Sequence, residues 1–184
     1  MSPSQVSATP VSYQKYVDET LVPGIRKMQD AGLAFLSFGV IGVSIEVLGS
    51  FFDSEAFDQE GLSKKRFNAA VHNLFSPINR KYKSCTHPRQ KHGSYCLYTG
   101  LRCGMAHIGK PQGKIAFTTR AEAQADGNKH LEKDVKGALI LVAEDLADDF
   151  ESAWSTLKAL SARGKTRKRV TRRYLRIFGY TKSR

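Results

Sequence analysis

The chain has 184 residues, 41% of them hydrophobic, and its 29 Lys or Arg against 17 Asp or Glu give a formal charge of +12. This length and apolar content suffice for a full core and favour one domain over two. Three cysteines do not make a disulfide framework, and residues 1–10 lack the basic start and apolar run of a secretory signal, so a cytoplasmic protein is expected.

Residues 13–28 read as a first helix interrupted near Pro23-Gly24, because proline lacks the backbone N–H that a helix interior uses. Residues 31–45 carry no charge, and the apolar run continues to Phe52 through Gly39, Gly42, Glu46 and Gly49. A membrane span needs about 20 predominantly apolar residues. A carboxylate near one end of so short a run argues instead for a long buried helix over residues 32–52, its glycines letting neighbouring backbones approach. After the acidic turn 53–61, Ser63 is expected to cap a helix through residues 64–75, with Phe67, Val71, Leu74 and Phe75 on one face.

A basic connector, residues 79–92, leads into a further helix that starts near Tyr95 and ends near Gly104 or His107, with Gly109 and Pro111 as stops. Cys85, His87, His92 and Cys96 are zinc-ligand types, but their spacing is not a common zinc pattern and Lys83, Arg89 and Lys91 surround them. A basic loop with no metal and no cofactor is the expectation. Residues 114–119 alternate and are β-prone, and a second short apolar run, 138–142, follows the polar loop 121–127. A small β-hairpin inserted before the last helix fits both. That helix starts near Ala143 or Glu144 and reaches about Ala159, with Leu146, Phe150, Trp154 and Leu157 at helical spacing. Glu144, Asp145, Asp148 and Asp149 fall in its first turns, where the helix dipole favours acids. The fold class is therefore mainly α, with a helical domain over residues 1–160 and a basic tail over 161–184.

The tail carries ten Lys or Arg and no acid, whereas residues 1–160 balance to +2. Arg167, Lys168, Arg169, Arg172 and Arg173 are candidate phosphate contacts, and Tyr174, Phe178 and Tyr180 between the charges have the chemistry to stack on bases. A solvated terminus is the alternative. Arg80, Lys81 and Lys83 of the connector extend the same RNA path. Anionic lipid is disfavoured because the tail has no long apolar face.

Chemistry concentrates in Leu101-Arg102-Cys103-Gly104-Met105-Ala106-His107. Arginine keeps its charge and presents forked donors to a phosphate, and histidine exchanges protons near neutrality, which together suit metal-free cleavage of a phosphodiester. On a regular α-helix residues five apart point roughly 140° away from each other, so a compact pair requires the helix to end between them. Two plainer readings stand beside this one: Arg102 clamping an acid such as Glu46, and His107 buried against a backbone carbonyl. Tyr98, four residues before Arg102, suits either a cleft wall or the core.

A helical body whose late helix ends in Arg-x4-His resembles the HEPN superfamily, whose active members are metal-independent endoribonucleases. Ser44-Ile45-Glu46-Val47-Leu48-Gly49, Arg66-Phe67 and Tyr98-x-x-Leu101-Arg102-Cys103-Gly104-Met105-Ala106-His107 are similar to landmarks of bacterial HEPN-type proteins, a likeness that covers residues 13–160. The resemblance implies an HEPN-like helical bundle with Arg102 and His107 as catalytic residues and Tyr98, Cys103 and Gly104 as support. The family usually has Asn, Asp or His after the arginine, where this chain has Cys103. The implied reaction is attack of the RNA 2′-hydroxyl on the neighbouring phosphorus, giving a 2′,3′-cyclic phosphate. The likeness further implies a homodimer whose two motifs line one cleft and, by analogy, a toxin or defence role with an antitoxin protein as partner. A noncatalytic HEPN-like module that binds RNA or assembles with other proteins is the alternative.

Overall fold

Pro23 does not break the first helix. In the computed structural model, which describes residues 12–85 and 95–168, α1 (Tyr13–Tyr16) runs through a π turn (Val17–Leu21) into α2 (Val22–Asp30). The wider turn, in which the Val22 N–H donates to the Val17 carbonyl, precedes the proline. The position normally in conflict with the pyrrolidine ring is thereby re-spaced, and the helix continues.

The apolar run becomes α3 (Ala34–Gly49), extended by a 3-10 turn (Ser50–Phe52). Residues 34–52 are long and apolar enough to cross a membrane, but 56% of their most apolar window is buried inside the protein. This is a core helix: α2, α4, α6 and the later motif helix all pack on it. α4 (Ser63–Ala70) crosses it at Gly49, where a Cβ would fall on the Arg66 carbonyl. Leu62, not Ser63, occupies the cap position, and no side chain caps this helix. α4 continues through a second π turn (Val71–Phe75), and Phe67, Val71, Leu74 and Phe75 are all fully buried, as their spacing indicates.

A 3-10 segment (Arg80–Cys85) follows, and the motif helix (Tyr98–Ile108) is wound as a π-helix that closes at Gly109 in the left-handed conformation (φ +71°). It ends at the later of the two expected positions, stopped by Gly109, and does not break inside the motif.

The hairpin is overturned. β1 (Ile115–Thr118) and β2 (Leu139–Val142) pair in parallel, Ile115 with Leu139 and Thr118 with Val142. Residues 121–127, read as a loop, contain most of α5 (Arg120–Ala125), whose Thr119 and Glu122 form a reciprocal capping box. A helix that starts directly after β1 carries the chain away from a tight turn, and a parallel pair needs such a crossover. Beneath the crossover Ala123, Ile140 and Val142 form a small satellite of the main core.

α6 (Ala143–Ala162) closes the structure, burying Leu146, Phe150, Trp154 and Leu157. The Trp154 indole and Lys158 both donate to Asp18, at 2.7 and 2.9 Å, which ties the last helix to the first. The architecture is thus mainly helical with one two-stranded parallel sheet. Its ordered packing runs past residue 160: the Arg167 N–H bonds the Phe51 carbonyl, and Lys168 reaches the Ser50 carbonyl and Asp53.

Candidate active site

The motif helix is positioned by glycines on both sides of its seam with α3. Gly39 faces Met105, and Gly42 lies against Leu101 and the Arg102 backbone, so the two axes approach closely. Gly104, buried on the opposite side, backs onto the chain at Lys110 and Gln112, where a Cβ would not fit. Leu101 is fully buried and fixes the rotation of the helix.

That rotation, with π winding, decides the geometry of the motif. Bonds from residue i to i+5 stack side chains five apart instead of opposing them. Arg102 Nη1 therefore comes within 3.4 Å of His107 Nε2 without any break in the helix between them. A guanidinium only donates, so Nε2 is the atom placed to accept in this contact. The same pitch brings Cys103 to Tyr98, also five apart.

Arg102 is held, not loose. Its Nε donates to Glu46 Oε2 of α3 at 2.8 Å, each side chain is 18% exposed, and the guanidinium carbon lies 5.9 Å from the centre of the Tyr98 ring. Burial alone would lower the proton affinity of the guanidinium, but the Glu46 charge and hydrogen bond outweigh it and raise it above the usual arginine range. Tyr98 packs edge-on against Phe67, ring centres 5.7 Å apart. Burial, then the hydrogen bond with Cys103, raises its phenol above the ordinary tyrosine value.

The clamp of Arg102 by Glu46 is thus present, while the buried histidine is not: His107 is exposed. The two coexist because Nε faces the core and Nη1 faces the solvent-exposed imidazole. Beside the motif an apolar groove of about 650 Å³ is walled by Val40, Val43 and Val47 of α3, Met28, Met105 and Ala106. Around it Leu36 (55%), Val43 (44%) and Ile108 (54%) are exposed, a feature missed in the sequence because α3 is apolar on every face.

The other candidate residues are dispersed. Arg80, Lys81 and Lys83 are exposed on the 3-10 segment, and Lys81 pairs with Glu132 at 2.8 Å. Lys168, expected on RNA, is instead packed at 11% exposure between Asp53 at 2.7 Å and the Ser50 carbonyl at 2.8 Å, because a carboxylate already facing Arg66 takes a second cation. Arg169, Arg172, Arg173, Tyr174, Phe178 and Tyr180 lie outside the described residues, as do His87 and His92. Cys85 is buried, which pushes its thiol up to about 11. Among the described residues no group of three or more His, Cys, Asp or Glu is placed to hold a metal ion. The acids of α6 do more than face a helix dipole: Asp148 and Glu151 hold Arg26, and Asp145 and Asp148 hold Arg120.

No family model, curated protein or solved structure matches the chain.

Proposed function

We propose that the protein is a metal-independent endoribonuclease of HEPN type, acting in the cytoplasm on RNA. The observation that carries this reading is the 3.4 Å approach of an anchored Arg102 to an exposed His107. In the proposed reaction the His107 imidazole takes the proton from the RNA 2′-hydroxyl as that oxygen attacks the adjacent phosphorus. Arg102, its Nε occupied by Glu46, directs the remaining guanidinium donors at the non-bridging oxygens, where charge accumulates as the 5′-oxygen departs and takes a proton from solvent water. The products are a 2′,3′-cyclic phosphate and a free 5′-hydroxyl, and DNA is inert because it lacks the nucleophile.

The exposed apolar surface beside the motif supports a homodimer in which two motifs share one cleft. A toxin or defence role with an antitoxin partner extends the HEPN resemblance by analogy.

A second reading, a noncatalytic HEPN-like module that binds RNA or assembles with proteins, draws on Cys103, a weak hydrogen-bond former where the superfamily carries Asn, Asp or His. Incubation of labelled single-stranded RNA and tRNA with the protein in EDTA, beside His107→Ala prepared identically, separates the two. Cleavage to a cyclic-phosphate end by the wild type, reduced about 10²–10⁴-fold in the variant, is the expected result. Binding without cleavage by either protein would transfer the assignment to the second reading.

A further inference from the structure

Between β2 and the crossover helix, residues 129–137 form a preshaped basic turn that the Arg102–His107 chemistry does not use. The Gly137 N–H closes on the Asp134 carbonyl at 2.9 Å, with Gly137 itself at φ +76°. Asp134 Oδ1 accepts the N–H groups of Lys136 and Ala138 at 2.9 and 2.7 Å, so its carboxylate serves the backbone of the turn. Glu132, the other acid here, is engaged by Lys81 at 2.8 Å. Lys129, Lys133 and Lys136 therefore stand exposed around acids that are already occupied, with Arg80 exposed on the adjoining 3-10 segment. At the tip, between Lys133 and Lys136, Val135 is wholly exposed.

The turn is fastened to the approach of the motif helix. The Tyr95 hydroxyl donates to the Gly137 carbonyl at 2.8 Å, and Lys133 Nζ lies 4.8 Å from the centre of the Tyr95 ring. Seven residues, at a helical rise on the order of 10 Å, separate Tyr95 from Arg102.

We infer that Lys129, Lys133, Lys136 and Arg80 form a second RNA-contact surface, which takes the phosphodiester backbone of a single strand running off the N-terminal end of the motif helix. This rests on RNA as the substrate of the Arg102–His107 site and adds where the strand goes beyond the scissile phosphate. The chemistry selects phosphate: the surface presents cations on a backbone fixed by four hydrogen bonds, so little order is lost on binding. A membrane is disfavoured because Val135 alone gives no apolar face to insert.

The test uses the full chain and a labelled single-stranded RNA of about 20 nucleotides with 2′-O-methyl groups throughout, which binds but cannot be cleaved. Affinity is measured by anisotropy across a salt series for the wild type, for Lys129→Gln/Lys133→Gln/Lys136→Gln, and for Lys27→Gln/Lys64→Gln/Lys65→Gln, three exposed lysines elsewhere. The turn variant is expected to bind about tenfold more weakly, with a slope of log affinity against log salt shallower by about 2, at about 0.7 per lost contact on a single strand. The elsewhere variant is expected to keep the wild-type slope. Equal slopes for the two triple variants would overturn the surface, as would binding of phosphatidylserine vesicles in place of RNA. Because Lys133 rests on Tyr95, Lys136→Glu alone supplies the same readout without touching that contact, and wild-type affinity for it overturns the surface too. If unmodified RNA survives the wild type while the slope difference holds, the nuclease reading falls and this surface stands.

Discussion

Arg102 does two jobs with one planar group: Nε binds the core through Glu46, and Nη1 meets His107 at the surface. Lysine has one ammonium and cannot divide itself this way, so Arg102→Lys should lose cleavage almost as fully as Arg102→Ala, on the order of 10²–10³-fold in kcat. Single-turnover rates for both variants, with folding checked by thermal unfolding, measure this. Cys103→Asn restores the residue type the resemblance leads one to expect after the arginine, and in the proposed mechanism it should raise the cleavage rate. A fall would indicate that the Cys103–Tyr98 contact matters more than the polarity of the position. Residue types were legible here, since Arg102, His107 and Glu46 all stood out by charge in apolar surroundings. Which atoms meet was not, because that depends on winding.

Helical winding is where the α-helical expectation fails. An α pitch would set residues five apart on opposing faces, whereas the π pitch of Tyr98–Ile108 brings both 98 to 103 and 102 to 107 together. Periodicity analysis presumes one pitch and is blind to the other. Glycine placement is more legible: Gly39, Gly42 and Gly49 mark α3 as a helix that others approach closely, and each does sit at such a contact. Gly49→Ala should force α3 and α4 apart at the Arg66 carbonyl and destabilise by about 1–3 kcal/mol, as overpacking typically does. Differential scanning calorimetry should show a Tm about 2–12 °C lower. The Thr119–Glu122 capping box was also present in the sequence, and it would have turned the expected hairpin into a crossover.

Across the whole molecule, Asp53 joins three parts of the chain. Arg66 of α4 bonds it at 2.7 Å, Lys168 bonds it at 2.7 Å, and Arg66 also bonds the carbonyls of Ala56 and Phe57. Burial acts to raise the carboxyl, but the two cations prevail and hold it below the usual aspartate range. A folded value below the unfolded one means that the folded state releases this proton more readily. The stability it contributes is therefore complete above the unfolded value of about 3.9 and is lost as pH falls through the lowered folded value. Denaturant midpoints measured from pH 6 downward should hold to about pH 4 and then fall, and Asp53→Asn should flatten part of that acid limb. Lys168 also ties the chain after α6 to the 3-10 turn that ends α3, through the Ser50 carbonyl at 2.8 Å.

The sequence by itself determined the helical class, the core stripes of α4 and α6, the buried character of α3 and the candidate chemistry of the motif, because apolar spacing and residue type are local properties. Tertiary structure alone decided that Lys168 serves the fold, that His107 faces solvent and that Arg102 reaches it. Each of these depends on how the chain winds and on which distant group offers a partner, and neither is written in any single stretch of residues.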